Sequence, residues 1–310
     1  MPNLKSIKIR IKSVKSTQKI TQAMKLVAAS KVRRAQSRVL NSRPYAKKIS
    51  DFMARTAGAI SLSERQEIPL MNQREANTIG IIVISSDRGL CGSYNTNIVK
   101  KASKRIIEFK KSGKEVKLIT IGNKANNFFR RTKTEILESF TQIPAIPSIE
   151  LANLIAETAK KAFINKTVDK IEIIGTDFIS MLRNEVYEKT FLPIQEERTG
   201  EPTDRRIGEI SDRKEFAPSP TRPIAGSILF EPSLTSVLEY LLPLYLSNII
   251  FHSLLEASTS ELASRMNAMS NATKNAKELI DRLTIVYNKA RQAAITQELT
   301  EIVGGVEALK

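Results

Sequence analysis

The chain has 310 residues, with 49 Lys and Arg against 32 Asp and Glu, a formal net charge of +17, one histidine and one cysteine. A length of this order holds two structural units with a buried core. Cys91 alone forms no intrachain disulfide, and one Cys with one His cannot complete a zinc site. A disulfide-stapled secreted scaffold and a zinc enzyme are therefore excluded, and a reducing compartment fits best.

The charge is unevenly placed. Asp51 is the first acidic residue, and fourteen Lys and Arg precede it. Such an arm calls for an acidic partner met by one element, with electrostatic steering and salt sensitivity. Apolar positions recur at Leu4, Ile7, Ile11 and Val14 and, after a polar patch at Gln18 and Thr21, at Met24, Val27, Val32, Ala35 and Val39. This spacing predicts a helix with one apolar seam over residues 1–58. Pro44 disfavours helical backbone at Arg43 and marks a place for a kink. A basic, Ser-containing, acid-free start also has the composition of a mitochondrial transit peptide. The seam, however, runs without a break in composition to Leu40, past any small-residue processing site, which assigns the segment to mature structure. Like-charge neighbours such as Lys8 and Lys12 cost about 0.2–0.5 kcal/mol each. Burial of each large seam residue contributes up to about 1.5–3 kcal/mol, so burial wins.

Residues 61–78 are polar and read as a connector. An alternation follows: a β-branched strand over 79–85, a basic amphipathic helix over 97–111, a strand over 116–121, a short helix over 124–131, a weak strand over 135–140, a helix over 149–163 and a strand over 170–176. That order predicts a small, open, mostly parallel, Rossmann-like α/β domain over 78–194. Residues 178–194 leave little room for a crossover helix, so they should add an antiparallel edge strand. Pro202, Pro218, Pro220 and Pro223 among many charges predict a flexible loop over 195–227. From 228 to 310 a three-four alternation through Leu238, Leu241, Tyr245, Leu255, Leu262, Met266, Met269, Ala276, Ile280, Leu283, Tyr287, Ala290 and Ala294 predicts a second coiled-coil helix. Its most apolar stretch is interrupted by Glu239, Pro243, Asn248 and His252, which suits a buried helix better than a membrane span. Helices of these lengths would measure about 80 and 105 Å. Pairing them as a long antiparallel coiled coil is the economical arrangement.

The loop SSDRGLCGSYN follows the first strand, where open α/β sheets hold phosphates. Gly89 and Gly92 lack both the G-x-G-x-x-G spacing and a following Lys-Ser/Thr pair, so a nucleotide cradle is not formed. Cys91 in this loop has no histidine nearby in sequence to activate it. His252 lies among Ile249, Ile250, Leu254 and Leu255 and reads as a core or interface residue. KLVAASKVRRAQ has the look of a leucine-zipper basic region, but Pro44 and an α/β domain separate it from the other helix, which argues against nucleic acid as a partner. The residues supply neither a catalytic constellation nor a cofactor or metal site.

Four stretches, KITQAMKLVAASKVRRAQ (19–36), SDRGLCGSYNTN (86–97), ELASRMNAMSNATKNA (261–276) and YNKARQAAITQELTEIVGG (287–305), together resemble the gamma subunit of F-type ATP synthase, of bacterial type. The resemblance covers both arms and the start of the α/β domain. It implies a non-catalytic rotor shaft, an antiparallel coiled coil inside a ring of three alpha and three beta subunits, with an epsilon subunit and a membrane c-ring at its foot. Membrane association would be indirect, at the cytoplasmic face of a bacterial plasma membrane, since the recognisable block begins almost at Met1. By position, Met24 faces the beta-subunit lever, although seam packing alone would also account for it. Arg88 and Cys91 fall in the loop beside that acidic lever, and Arg291 and Gln292 match the pair that bonds a beta-subunit loop. Thr296 and Glu298 match positions just above, within an apolar sleeve. The lone Cys91 excludes the thiol switch of the plant-type subunit. Residues 195–227 are less family-like. A coiled-coil scaffold outside ATP synthesis and a nucleotide-binding α/β enzyme with helical arms remain open on the residues alone.

Overall fold

The computed structural model describes residues 4–58, 60, 68–194 and 234–308. The expected flexible loop at 195–227 lies outside them. The chain divides into two units, one of residues 1–34, 90–93 and 261–310 and the other of residues 35–89 and 94–260. In chain order the elements are α1 (Leu4–Gly58), β1 (Thr78–Ile84), α2 (Tyr94–Lys111), β2 (Glu115–Ile121), α3 (Asn123–Phe129), β3 (Glu135–Phe140), α4 (Ile149–Ile164), β4 (Lys170–Phe178), β5 (Asn184–Leu192) and α5 (Leu234–Ala308).

The second unit is built on a five-stranded sheet of order β3-β2-β1-β4-β5. The first four strands are parallel and β5 runs antiparallel to β4. Parallel strands need both faces covered, and β1 answers with six consecutive buried residues from Ile79 to Ile84, Gly80 included. α2 buries Tyr94, Ile98, Ala102, Ile106 and Phe109 along one stripe. On β4 the carboxylate of Glu172 receives Arg105 from α2 at 2.9 Å and Lys170 at 2.7 Å. Burial alone would raise its pKa, but those two partners outweigh burial and hold it below the usual carboxylate range. A larger core joins Ile82, Ile84, Ile119, Ile121 and Ile171 of the sheet to Ala152, Ile155, Ala159 and Phe163 of α4. Met53 of α1 and Leu238, Leu242, Leu246, Ile250 and Leu254 of α5 enter the same core.

That stripe of five residues, spaced by four, explains why the start of α5 is apolar on so many sides. One face serves the three-four seam and a second is buried in the α/β core. α5 is long and apolar enough by composition to cross a membrane, yet Leu238, Leu242, Leu246 and Ile250 are at most 1% exposed.

In the first unit, the early part of α1 and the late part of α5 form the antiparallel pair. Ile7, Ala28 and Val32 are buried on α1, and Leu262, Met269, Ala276 and Ile280 on α5. The polar patch in the seam finds its own kind, with the hydroxyls of Thr21 and Thr273 2.9 Å apart. One seam assignment is corrected: Val27 is 57% exposed and Ala28 takes the inward position. Successive residues point about 100° apart, and the small Ala28 permits a closer helix approach. Pro44 does not end α1, which continues to Gly58. A helix-interior proline costs about 3 kcal/mol. Fully buried Val39 before it and Met53 after it offset that locally.

Gly122 opens α3 with φ 89°, and a Cβ there would sit 2.4 Å from the Ser85 carbonyl oxygen. Neither the backbone nor the neighbouring carbonyl can yield cheaply. Gly122→Ala should lose about 3 kcal/mol or more of stability, read as a lower urea midpoint for the full chain.

Candidate partner-binding surface

The carboxyl edge of the sheet reverses strand order between β1 and β4, the point at which open α/β sheets bind ligands. Here the local polar groups are engaged by the fold. Ser85 Oγ donates to the Ile121 carbonyl at 3.0 Å and accepts from Ala125 N at 2.9 Å. Asp87 accepts from Asn123 N at 2.9 Å and from Ile143 N at 2.6 Å. Asn95 ties back to Ser86, and Ser86 Oγ donates to the Arg88 carbonyl at 2.7 Å. α5 lies against the same edge: Tyr94 OH donates to the Ala257 carbonyl at 3.0 Å, and Phe178 N, ending β4, donates to Glu256 Oε2 at 2.9 Å. A side-chain carboxylate of the chain itself thus fills the place an anionic ligand would take.

Glu256 is nearly inaccessible, its side chain 4% exposed. Arg43 of α1 donates from Nε at 2.9 Å to one carboxylate oxygen and from Nη2 at 3.2 Å to the other, while Nη2 also reaches the Phe178 carbonyl at 2.8 Å. His252 Nε2 stands 3.4 Å from Glu256 Oε1, and its Nδ1 is 3.3 Å from Ser42 Oγ. Burial pulls the His252 pKa below its ordinary value, Glu256 opposes this, and Arg43 and Lys189 add to it. Nearby Asp177 is pushed up by burial, and Tyr187, pushed up by burial too, donates to Ser253 at 2.8 Å. Sequence reasoning placed His252 in an interface but missed Glu256 and Arg43. The available signal was an acidic residue inside the apolar run Leu254–Ala257.

The residues expected to meet partners fall into three groups. Met24 is half-buried, one turn from Thr21 on the inner seam. Cys91 is 2% exposed, and the adjacent Gly92 approaches Ala268 of α5. Since Thr21 meets Thr273, Met24 and Cys91 lie at neighbouring levels of α5. Arg291, Gln292, Thr296 and Glu298 are all exposed and follow Ile280, the last buried residue of α5 among those whose burial is described. At 1.5 Å per residue they begin about 16 Å beyond Ile280 along the helix. Arg88 is exposed and belongs to the unit that carries the sheet.

Around the first unit's inner seam runs a second, outward set of apolar residues. Ile9, Ile20, Leu26 and Val27 project from α1, and Ile295, Leu299, Ile302 and Val303 from the end of α5, each between 49% and 64% exposed. The last four recur at helical spacing on one face. Lys8, Lys12, Lys15 and Lys19 are exposed on α1 near Ile9 and Ile20 in sequence. An apolar stripe flanked by charge marks a surface that meets other proteins.

A helix pair offering such a stripe, in one chain with an α/β body, has the features of a subunit that meets other proteins. A family model described as ATP synthase matches residues 3–309. The ATP synthase gamma chains of Trichormus variabilis and Synechocystis sp. are 44% and 42% identical to this chain over 315 aligned residues, each covering 100% of both chains. Among solved structures, one chain of the Euglena gracilis mitochondrial ATP synthase, OSCP/F1/c-ring, rotational state 3, aligns at 18% identity and a TM-score of 0.65, over 99% of this chain and 94% of that one. A chain of the Tetrahymena thermophila mitochondrial ATP synthase central stalk and c-ring aligns at 23% identity and a TM-score of 0.57, over 82% and 99%. The chain belongs to the gamma-chain family of F-type ATP synthase. Its role is that of the central rotor shaft, a subunit of the complex rather than its catalytic chain.

As the only histidine, His252 gives an unambiguous imidazole signal. It should titrate below 6.5 by NMR, and Arg43→Met should raise that midpoint, because Arg43 opposes protonation. A depressed histidine pKa means that its stability contribution is complete above about 6.5 and is lost as pH falls through the folded value. Arg43→Met should also cost about 1–3 kcal/mol at neutral pH by leaving a buried carboxylate short of donors.

Proposed function

We propose that this gamma chain sits as one copy within a ring of three alpha and three beta subunits, with an epsilon subunit and a membrane c-ring at its foot. The complex would be held at the cytoplasmic face of a bacterial plasma membrane, and the chain would touch the bilayer only through the ring. The observation that supports this reading is the exposed stripe Ile295, Leu299, Ile302 and Val303. An apolar tip of that kind is satisfied by an apolar sleeve, in which Thr296 and Glu298 would also lie. Arg291 and Gln292 supply donors for a beta-subunit loop just below. Met24, with Arg88 and Cys91, would meet the acidic lever of beta, and the exposed lysines of α1 would steer that contact.

The mechanism follows from asymmetry. Two helices present different faces around the axis, so three chemically equivalent beta sites would each meet a different surface at any angle. Each angle then favours one nucleotide affinity, and rotation becomes a shift of populations among open and closed beta conformations. The coupling is thermodynamically reciprocal: ion-driven turning biases the sites, and nucleotide hydrolysis biases the angle. Individual exposed ion pairs give only about 0–1 kcal/mol, so shape carries most of the coupling.

In the reassembled complex, Lys12→Ala should change ATP-driven proton pumping by less than about fivefold, as expected for a single exposed charge. Arg291→Ala, removing hydrogen bonds from a charged donor worth about 1.5–3 kcal/mol, should lower pumping per ATP hydrolysed, or assembly, by about tenfold or more. Equal effects would remove the assigned role of Arg291.

A further inference from the structure

Within the unit that carries the sheet, α1, α4 and α5 leave an open cavity of about 350 Å³. Small-molecule sites begin at about this size. Its walls are of two kinds. Ala46, Leu244 and Phe251 supply apolar surface, with Tyr45 and Ile149, 60% and 42% exposed, beside them. Asn153, Ser247 and Asn248 line the same space, and their side chains make no hydrogen bond among the described residues. Several other polar side chains of this unit are engaged, Asn95 with Ser86, Tyr187 with Ser253, and Ser258 with the Ala145 carbonyl, whereas the buried hydroxyls of Thr120, Thr176 and Ser260 are unpaired but lie outside the cavity.

The cavity has no Asp, Glu, Lys or Arg among its described lining residues. Its one titratable nitrogen heterocycle, His252, is kept neutral at physiological pH by burial, with Nδ1 against Ser42. An ion entering here would lose hydration without gaining a counter-charge. An uncharged molecule with an apolar body gains area on the Leu244 and Phe251 side and finds amide donors and acceptors at Asn153 and Asn248.

We propose that this cavity is a binding site for an uncharged amphiphile, a planar ring system seated against Phe251, Leu244 and Ala46 with a carbonyl, hydroxyl or amide group met by Asn248 and Asn153. Because Ser42, Tyr45 and Ala46 come from α1 and the residues from Leu244 to His252 from α5, an occupant bridges the two helices in this unit. It also touches His252, which contacts Glu256. Occupancy therefore tightens the contact between α1 and α5.

The test uses prodan, a neutral naphthyl ketone whose emission moves to the blue on leaving water. Titrated into the full chain, it should bind saturably with a blue shift, whereas the anionic dye anilinonaphthalene sulfonate should show no cavity-dependent binding. Ala46→Phe, which fills the space, should weaken prodan tenfold or more, and Asn248→Leu fivefold or more. Leu182→Ala, at a position 86% exposed and outside the cavity, should leave binding unchanged. Asn153→Leu on α4 gives an independent reading should the Ala46 variant not fold, which an altered urea midpoint would reveal. Prodan should also bind the complex assembled with alpha and beta subunits. Failure to saturate, equal binding by all the cavity variants, or loss of binding on assembly would overturn the proposal, the last assigning the space to a partner subunit.

Discussion

The sheet-bearing unit depends on one buried carboxylate. Glu256 would be prohibitive in an apolar helix if it stood alone, because removing a charge from water costs several kcal/mol even after relaxation. It is tolerated because Arg43 arrives from α1 with two hydrogen bonds and the end of β4 adds the Phe178 amide. Three elements far apart in sequence are tied to a single side chain. Apolar burial would hold α1 against α5 in several neighbouring registers, since successive helical turns offer similar surface. The charge admits only one, because a slip of one turn would leave both Glu256 and Arg43 without their partners. Specificity of register is the best-attested use of such a group, and it is the property a shaft needs if the angle of its base is to determine the angle of its helices.

The same carboxylate explains what this Rossmann-like body has become. Phosphate-binding relatives of the topology leave main-chain amides at the switch point free to receive an anion. Here Phe178 N is taken by Glu256, Ser85 is committed to β2 and α3, and Asp87 caps α3 while holding the Ile143 amide. The groups that could bind a small anion hold helices instead. What remains of the architecture is stiffness: parallel strands with both faces covered resist shear, and α5 is built into their core at Leu238, Leu242, Leu246, Ile250 and Leu254.

Much of this was legible in the sequence because it is periodic. The β-branched runs gave the strands, and β5 was foreseen from the short distance after β4. The inner seam was legible at Ile7, Ile11, Val32, Ala35 and Val39, and failed only at Val27, where two adjacent apolar residues offer a choice that periodicity cannot make and Ala28 wins by size. α2 begins at Tyr94, three residues before its expected start, because its first turn lies in a loop whose Gly, Ser and Asn content masks helical spacing. The site residues from Met24 to Glu298 came from resemblance, not from pattern, and none carries a local signature of its own. Glu256 and Arg43 were missed for a different reason. They are 213 positions apart, and a long-range ion pair leaves no trace in either neighbourhood beyond a charge where an apolar residue would be expected.

The exposed apolar residues follow from the same arithmetic of helices. A two-stranded pair buries one seam, about two residues in seven, and every further apolar residue must face outward. On α1 the outward positions mix Ile9, Ile20, Leu26 and Val27 with a dense array of Lys and Arg, so that surface suits a partner with both acidic and apolar features. On α5 after Ile280 no residue whose burial is described is fully buried, and Ile295, Leu299, Ile302 and Val303 form an outward apolar face beside the exposed Arg291, Gln292 and Glu298. The two ends of one helix pair therefore make unlike demands. Where charge dominates, encounter is steered over a longer range, while each exposed pair is weak enough to release and shape carries the coupling. Where apolar residues dominate, attraction is short-ranged and non-directional, which would suit a bearing. On the proposed reading, the cationic stretch of α1 would transmit angle and the apolar face near the end of α5 would centre the axis.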